Sequence, residues 1–527
     1  MKNYDVIIIG GGHNGLAAAC YLAKAGLQIL LAERREQLGG IAVTEEISSG
    51  FRCSTISHSA GPFLPQVARD LDLERYGLEF IRPGVRVTAL HPSEDSILIY
   101  EEAKQTATGF KKFSTHDADN YAEFTRVFSQ IGKVLEPLLT MTPPAVDHPS
   151  AGELWDLGKL GLAFRGLGRK DSYRLLRWGP MAVADLVAEW FENERVRAAI
   201  AARGIFGAFA GPWSAGTSLG LLWQSALDQT ALSPASFVKG GMGALSDALA
   251  QAAKEAGVEI RVATEAASIT VKDNQTSGVV FTNGEEALAN TVLSSVDPRT
   301  TFLNLMDPLN LDPNFILKIR NYRSVGAVAK VNLALSRLPR FLGVKDAALE
   351  LSGRVHIGPD IDYLERAFDA AKYGELSTKP YLDITLPSLT DTTLAPKGAH
   401  VMSVHVQFAP YKLRVGDWQM AKGPLAETVV NALTEYAPDL PDAIVGQQVI
   451  TPIDLEQEYG LSGGHIMHGE QSLDQFFAFR PLIGWAQYRS PIRGLYLCGA
   501  GTHPGGGVTG GPAMNASREV LKDLKRR

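Results

Sequence analysis

The pattern of apolar and polar positions is clearest in the first 33 residues. Val6–Ile9 is a run of β-branched residues, residues 10–15 are rich in glycine, and an alanine-rich stretch from Leu16 has the composition of a helix. A second apolar run, residues 28–32, ends at Glu33. The order strand, glycine turn, helix, strand predicts the beginning of a parallel α/β sheet with a dinucleotide site at its edge.

The spacing of three glycines fits such a site. Gly10 permits the tight turn, Gly12 lets the backbone approach a pyrophosphate, and Gly15 lets the helix pack closely on the strand. The helix N-terminus faces the phosphate charge. Glu33 stands 23 residues after Gly10, where a carboxylate binds the adenosine ribose. The segment therefore predicts an adenine dinucleotide, either FAD or NAD.

A second glycine turn distinguishes the two cofactors. Glu33, Arg35, Gly39 and Gly40 form the pattern E-x-R-x-x-x-G-G, which resembles the FAD-binding start of the amine oxidase and phytoene desaturase superfamily. The glycine pair would bring a second backbone segment to the diphosphate, and Arg35 would add charge-assisted hydrogen bonds. Because a simple NAD site does not need this turn, the pattern predicts FAD.

Apolar periodicity recurs along the chain and predicts a helix over residues 245–256 and strands over 329–335 and 400–407. Near the C-terminus a buried strand, residues 494–499, precedes a glycine-rich turn and a helix over 512–525. Gly499 and Gly507 are predicted to let a flat flavin ring approach the backbone. The amides of Val508 and Thr509 are predicted to point at the ring and stabilise negative charge on the reduced flavin.

Length, charge and cysteine content narrow the class of protein. The 527 residues exceed one compact core and predict at least two domains. A net charge of −6 gives no drive toward nucleic acid. The three cysteines are far apart and form no C-x-x-C, which excludes a dithiol redox centre and fits a reducing compartment. The predicted N-terminal strand leaves no room for a signal peptide, so we expect a cytoplasmic protein, with peripheral attachment to a membrane left open.

Two stretches raise the question of membrane contact. No residue between Arg203 and Asp228 is charged, but its glycines, proline and polar residues disfavour a spanning helix. We expect residues 204–227 to form the wall of an apolar cavity. Residues 154–200 combine leucines and aromatic residues with a basic cluster, which predicts either helices at a membrane interface or a helical cap with a solvated edge. The cluster comprises Arg165, Arg169, Lys170, Arg174 and Arg177.

Several polar residues are candidates for chemistry beside a flavin. Ser57 and His58 lie in a segment that looks like the loop passing the flavin ring in phytoene desaturase relatives. His58 either touches the ring or is bonded by backbone. His468, Glu470 and His503 are candidates for a general acid or base, with ordinary cavity hydrogen bonding as the alternative. Further ligands at a recognised metal spacing are missing, so we predict no metal site.

Segments spread over the chain together resemble the phytoene-desaturase-like FAD oxidoreductases. They are the N-terminal glycine turns, residues 239–245, 463–475 and 495–515. The resemblance is to the branch that holds the desaturase-like β-carotene ketolase and pyridine nucleotide-disulfide oxidoreductase domain-containing protein 2. It implies non-covalent FAD, a hydrophobic substrate tunnel and often peripheral membrane attachment. In the family, the residue matching Ala266 meets the adenine through its backbone.

The same resemblance implies an α/β fold with two interleaved domains. Residues 1–75, 235–300 and 480–527 would form a Rossmann-like FAD-binding domain. Residues 76–234 and 301–479 would form an α+β substrate-binding domain with possible membrane-facing helices.

The function that follows is an FAD-dependent oxidoreductase acting on a long hydrophobic substrate, a carotenoid or related isoprenoid, by desaturation, ketolation or isomerisation. Quinone or oxygen would be the electron acceptor. No basic site for a soluble anionic substrate is apparent. One alternative is a flavin oxidase or dehydrogenase of a smaller amphipathic molecule such as an amine. A second is a non-catalytic lipid- or prenyl-binding escort protein, and the oligomeric state is left open.

Overall fold

The strands in the part of the chain that the structure describes form three large sheets and two small ones. The computed structural model describes residues 2–228, 232 and 236–526. In chain order the strands of the described residues are β1 (Lys2–Asn3), β2 (Val6–Ile9), β3 (Ile29–Ala32), β4 (Glu45–Ser48), β5 (Phe51–Cys53), β6 (Phe80–Ile81), β7 (Val85–Ala89), β8 (Ile97–Tyr100), β9 (Phe237–Val238), β10 (Glu259–Arg261), β11 (Ala266–Lys272), β12 (Gln275–Phe281), β13 (Glu286–Leu288), β14 (Val292–Ser294), β15 (Val328–Leu335), β16 (Arg354–Ile357), β17 (Tyr381–Thr385), β18 (His400–Gln407), β19 (Ile444–Ile450) and β20 (Leu495–Leu497).

Helices connect the strands and cover the sheets. Short 3-10 segments and one π-helical turn, Thr300–Asn304, lie between them. The α-helices of the described residues are α1 (His13–Lys24), α2 (Pro65–Asp70), α3 (Ala103–Phe110), α4 (Thr115–Thr140), α5 (Ala151–Gly166), α6 (Gly168–Trp178), α7 (Val183–Ala188), α8 (Glu194–Ile205), α9 (Ser218–Asp228), α10 (Met242–Glu255), α11 (Pro313–Arg320), α12 (Ala347–Glu350), α13 (Ile361–Lys372), α14 (Trp418–Thr434), α15 (Pro452–Gln457) and α16 (Gly511–Arg526).

A five-stranded parallel sheet carries the predicted dinucleotide fingerprint. Its order is β10-β3-β2-β14-β20, so β2 is the central strand. All residues of β2, β3, β14 and β20 are buried, as expected for a parallel sheet covered on both faces. Helices α1, α10 and α16 pack on one face, and the four-stranded sheet β1-β13-β12-β11 covers the other. The predicted α/β class is confirmed, and the predicted helices over 245–256 and 512–525 correspond to α10 and α16.

A seven-stranded sheet, β19-β15-β18-β17-β16-β7-β8, forms the second large layer. Its neighbouring strands are antiparallel except for β16 and β7. The predicted strands over 329–335 and 400–407 are β15 and β18. The apolar residues that alternate along β15 to β18 form a core with α14 on one face. The opposite face is polar, and it forms part of the site described below.

The sheets draw on different segments of the chain. Strands of the five- and four-stranded sheets come from residues 2–32, 259–294 and 495–497, whereas those of the seven-stranded sheet come from 85–100 and 328–450. The β4–β5 hairpin, which we predicted to belong to the FAD-binding domain, packs against β15, β18 and β19, where Phe51 and Cys53 join a small apolar cluster. The predicted boundary at 234–235 lies outside the described residues, and the domain division itself stays a prediction.

Helices α5 and α6 lie in the region predicted to contact a membrane. Helix α5 has no buried residue, and Trp155 and Leu162 on it are 69% and 71% exposed. A capping box at Ser150 and Glu153 nevertheless fixes its start. No helix within the described ranges combines the length and the apolar character needed to cross a bilayer.

The glycine turns at the edge of the parallel sheet touch each other directly. A Cβ added to Gly15 would overlap the carbonyl oxygen of Gly10, so α1 approaches the end of β2 more closely than any side chain allows. The Gly39 amide donates to the Gly11 carbonyl at 2.8 Å, which joins the second glycine turn to the first. Gly39 and Gly40 have φ angles of +118° and +62°, in the region that favours glycine.

The contact of Gly15 generates a stability prediction. We expect Gly15→Ala to lower the free energy of unfolding by about 1–3 kcal/mol, because the added methyl group displaces the first turn of α1. Gly152→Ala is the matched control: Gly152 is also helical, and an added Cβ would meet no atom within 4 Å. Urea unfolding should show a lower midpoint for the first variant and an equal or higher midpoint for the second. Equal midpoints for both variants would contradict this account of the turn.

Candidate active site

A small cavity of about 70 Å³ lies at the carboxyl end of β2. Its lining includes Gly10, Gly12, Glu33, Arg35 and Gly40, which are five of the predicted cofactor residues. They come from the first glycine turn, the end of β3 and the second glycine turn. The geometry therefore brings together residues that the sequence pattern assigned to one dinucleotide site.

Glu33 and Arg35 are held by short hydrogen bonds. The Glu33 carboxylate accepts from the Gly11 amide at 2.6 Å and from the Arg35 amide at 2.9 Å. The Arg35 guanidinium donates to Glu45 at 2.9 Å and lies 4.4 Å from the ring centroid of Tyr459. Both side chains are thus held at the cavity wall by contacts within the protein.

The residues around this small cavity fit FAD. A Cβ added to Gly12 would meet no atom closer than 3.8 Å, so the space in front of Gly12 is open. Because Gly12 has no side chain, its backbone forms the cavity wall there. Four buried polar atoms at the cavity, His13 Nε2, Asn14 Oδ1, Arg35 Nη1 and His468 Nδ1, have no hydrogen-bond partner among the described residues. Buried polar atoms without partners are costly, and a dinucleotide supplies phosphate and ribose groups for them.

A larger cavity of about 360 Å³ is lined by another group of predicted cofactor residues. Ser57, His58, Gly507 and Val508 all line it. Much of the remaining wall comes from the charge-free stretch, in agreement with the expectation for residues 204–227. Those wall residues are Gly204, Phe206, Gly207, Ala208, Phe209, Ala210, Ala215, Gly216, Thr217, Gly220, Trp223, Gln224 and Leu227.

One side chain of the seven-stranded sheet fixes this wall. Gln407, at the end of β18, donates to the carbonyl of Ile205 at 2.6 Å and to that of Ala208 at 3.3 Å. Its side-chain oxygen accepts from the Gly207 amide at 3.0 Å. The turn that follows α8 is therefore bound to the sheet by three hydrogen bonds from one buried amide.

The polar face of the seven-stranded sheet was not predicted from the sequence. His356, Asp383, His405 and Lys330 lie opposite one another on four neighbouring strands and form one row. All four are buried. Their positions alternate with apolar residues, a signal present in the sequence that does not by itself distinguish a cavity from solvent.

His58 joins this row to the cavity. Its Nδ1 atom lies 3.1 Å from Lys330 Nζ, and its Nε2 atom lies 3.4 Å from Asp383 Oδ1. Burial lowers the pKa of Lys330 to about 8. Burial, aided by the charge of Lys330, lowers the pKa of His58 to about 4. At neutral pH His58 is neutral, so it can accept a hydrogen bond from Lys330 and donate one toward Asp383.

The candidate acids and bases occupy different places. His468 lines the small cavity and not the large one, because the loop after α15 carries it toward His13. Glu470 lines the large cavity and accepts from Arg323 Nε at 2.8 Å. His503 lines neither cavity: its Nε2 atom lies 2.5 Å from the Leu138 carbonyl oxygen, behind Trp223. A catalytic role for these residues stays a prediction, and for His503 this placement disfavours it.

The remaining predicted cofactor residues do not line either cavity. Ala266 begins β11 in the four-stranded sheet. Gly499 contacts the Ser295 carbonyl so closely that no side chain fits, which gives it a packing role. The Thr509 amide donates to the Gly507 carbonyl at 3.1 Å, so its predicted direction toward the ring is wrong in this conformation. Val508, by contrast, lies in the wall of the large cavity, and the direction of its amide toward the ring stays a prediction.

Metal-ligating residues come close together at one place in the described chain. These residues are His116 and Asp117 on α4 and Glu192 just before α8. None of the three lines either cavity. The Asp117 carboxylate already accepts from the amides of Glu192 and Asn193 at 2.8 and 3.0 Å. These bonds give the carboxylate a structural role in joining α4 to the loop before α8.

The burial of His58 predicts an acid-sensitive stability. Its pKa is about 4 in the folded protein and near 6.5 in the unfolded chain, so the unfolded state binds the proton first as pH falls. The free energy of unfolding should therefore decrease between pH 6.5 and 4, by about 1.4 kcal/mol per pH unit for each such proton. His58→Gln should make this slope shallower in urea titrations at several pH values. His148→Gln, at an exposed position, should leave it unchanged, and parallel curves for wild type and His58→Gln would refute the assignment.

Comparison with known proteins shows which family this chain belongs to. The family model described as flavin containing amine oxidoreductase matches residues 15–519. Pyridine nucleotide-disulfide oxidoreductase domain-containing protein 2 of Rattus norvegicus is 35% identical over 99% of this chain and 94% of its own length. One polypeptide of the limonene dehydrogenase of Castellaniella defragrans is 27% identical, with 99% and 95% covered. A neurosporene-forming phytoene desaturase of Cereibacter sphaeroides is 24% identical, with 98% and 94% covered.

A solved structure supports the same fold. Putrescine oxidase bound to putrescine superposes with a TM-score of 0.61 at 15% sequence identity, covering 100% of this chain and 99% of that one. The expected resemblance and the FAD cofactor are confirmed. The chain belongs to the flavin-containing amine oxidoreductase family and is an FAD-dependent oxidoreductase.

Proposed function

We propose that this oxidoreductase acts on a long apolar substrate, a carotenoid or a related isoprenoid. The observation that carries the proposal is the wall of the large cavity. The stretch from Gly204 to Leu227 contains no charged residue. It lines the cavity together with Gly507 and Val508 of the C-terminal glycine-rich turn. An apolar molecule in this cavity would therefore lie next to the ring.

Burial of apolar surface supplies the binding free energy for such a substrate. About 25 cal/mol is gained per Å² of apolar area removed from water, so a long chain binds without many polar contacts. Limonene and phytoene, named in two relatives, are isoprenoid hydrocarbons, which supports this class of substrate. Desaturation, ketolation and isomerisation are all compatible with it.

The residues of this chain would bind and orient both molecules. Bound FAD supplies hydride transfer, with quinone or oxygen proposed as the final acceptor. The glycine turns around Gly12 and Gly40 would hold the dinucleotide, and Gly507 and Val508 would lie beside the ring. The apolar wall excludes water from the reacting atoms. His58 and Glu470 are the candidates that line the large cavity and could move a proton there.

An amine is the second candidate substrate, because the family description names amine oxidoreductases and a putrescine oxidase has the same fold. Charge argues against it here. Arg203 and Arg354 both line the large cavity, and guanidinium groups repel an ammonium ion. An escort protein without catalysis is the third candidate, and it predicts a flavin that no lipophilic donor reduces.

Anaerobic reduction of the bound flavin tests the proposed substrate class. We expect phytoene or another polyene in detergent to bleach the oxidised-flavin absorption, whereas putrescine and other amines leave it unchanged. Denaturation should release the FAD into the supernatant, since each cysteine is buried and none lines either of the two cavities described above. Bleaching by amines alone would overturn the proposal, and a flavin inert to all donors would favour the escort role.

We also propose reversible membrane contact through α5 and α6, where Leu154, Trp155, Leu162, Tyr173 and Leu176 are all more than half exposed. Such residues insert shallowly at a lipid interface. The basic cluster next to them is only partly available. Arg174 pairs with Asp171 at 2.7 Å and Arg177 with Glu189 at 2.5 Å, so these two cations are bound within the protein. Arg165, Arg169 and Lys170 remain for anionic lipid, at about 1 kcal/mol each.

Vesicle co-sedimentation tests this contact. The double variant Trp155→Glu with Leu162→Glu should reduce recovery with phosphatidylserine vesicles at least about tenfold, and so should Arg169→Glu with Lys170→Glu at low salt. Leu309→Glu is the matched control, because Leu309 is 92% exposed on a different surface segment. Equal recovery of the wild type and both double variants would exclude this surface as the contact.

A further inference from the structure

The polar face of the seven-stranded sheet contains a second row beside the first. Arg354, Thr385, Ser403 and Asn332 lie opposite one another on β16, β17, β18 and β15. Each stands two residues from a member of the first row, so both rows share one face of the sheet. Ser403 donates to Asn332 at 2.9 Å and accepts from Lys330 at 2.7 Å.

This buried face carries more positive than negative charge. Arg203 of α8 pairs with Asp383 at 2.7 Å, and both side chains are more than nine-tenths buried. Burial, with the nearby charge of Arg203, lowers the pKa of Arg354 to about 9, which still leaves it charged at neutral pH. Lys330 is also protonated there. Asp383 is the carboxylate among the described residues that acts on all three cations.

Asp383 itself is fully ionised. Burial alone would raise the pKa of Asp383, but the hydrogen bond from His58 and the charges of Arg203 and Arg354 outweigh it and hold the pKa well below its usual range. Burial keeps His58 neutral, and it does the same for His405 and His356. Among the described residues, one carboxylate therefore faces three cations, an excess of two positive charges in a buried part of the protein.

The excess charge reaches the large cavity. Arg203, Arg354, His58 and His405 all line it. The Nε atom of Arg203 and the Nε2 atom of His405 are buried without a hydrogen-bond partner among the described residues. His405 is stacked on Phe206 with ring centroids 4.4 Å apart, so its ring is held in place at the wall.

The carboxylates that line the same cavity do not neutralise this charge. Glu470 and Asp474 belong to the loop after α15, and both are bound by Arg323, at 2.8 and 2.7 Å. Arg86, the next cation beyond Arg354, is likewise paired with Glu101 and Asp228. The net positive charge thus lies on the seven-stranded sheet and at the end of α8.

We infer that the large cavity binds a substrate whose apolar chain ends in a carboxylate, with that carboxylate seated between Arg203, Arg354 and His405. The inference rests on the proposed function and names the polar end of its substrate. No such basic site is apparent in the sequence, because the basic residues are far apart along the chain and meet only across the sheet.

A carboxylate fits better than the other anions. The guanidinium group binds a planar carboxylate through two parallel hydrogen bonds, and such charge-assisted bonds are stronger than neutral ones. A diphosphate head would bring more negative charge than the excess of two can balance. The flavin ring is the alternative partner, and the experiment below includes it.

Paired ligands that differ only in charge test the inference on the FAD-loaded protein. All-trans-retinoate and its methyl ester share one polyene chain, and equilibrium dialysis measures the affinity of each. We expect the wild type to bind retinoate at least about tenfold more tightly than the ester. Arg354→Gln should remove most of that preference, whereas Asp383→Asn should increase it, because the competing carboxylate is gone. Opposite effects at two buried positions cannot both arise from loss of folding.

Leu227→Ala is the matched control, since Leu227 lines the cavity and is uncharged. It should weaken binding of both ligands by the same factor. Equal affinity of the wild type for retinoate and ester would overturn the inference but leave the apolar cavity of the proposed function intact. Binding of neither ligand would overturn both. If Arg354→Gln shifts the flavin reduction potential and leaves the preference for retinoate unchanged, the charges serve the flavin, and the inference is wrong.

Discussion

Direct contact between backbone turns is the constraint on which the site depends. The first glycine turn must accept α1 on one side and the second glycine turn on the other, with no Cβ between them. Gly15 on the Gly10 carbonyl and the bond from Gly39 to Gly11 meet that constraint. Because the turns touch, the backbone itself forms the wall of the small cavity, and Glu33 and Arg35 are brought to its rim.

These features were predictable because each depends on residues close together in the sequence. The first turn is specified by three glycines within six residues and by a carboxylate at the end of the next strand. These signals do not depend on the rest of the chain. The C-terminal turn was located for the same reason, although the direction of the Thr509 amide was not. That amide is directed by a local hydrogen bond to Gly507, which the glycine pattern does not encode.

The polar face of the seven-stranded sheet illustrates what such patterns omit. Lys330, Asp383 and His405 alternate with apolar residues as they would on a sheet facing water. Only the assembled sheet shows that α8, α9 and the loop between them cover this face and enclose it. Burying a charge without a full set of partners costs several kcal/mol, so this layer reduces stability. Buried charged groups with shifted pKa values cluster at functional sites, so we attribute this loss of stability to the function of the cavity.

The bonds from Gln407 have a consequence for the shape of ligands. Its amide fixes the turn at Ile205, Gly207 and Ala208 from the sheet side, so this part of the wall cannot move outward without breaking three buried hydrogen bonds. A molecule that is wider at this wall would have to break them, whereas a longer molecule of the same width would not. Selection at this wall is therefore by cross-section: slender molecules of different lengths can share the site, and broad ones of similar mass are excluded.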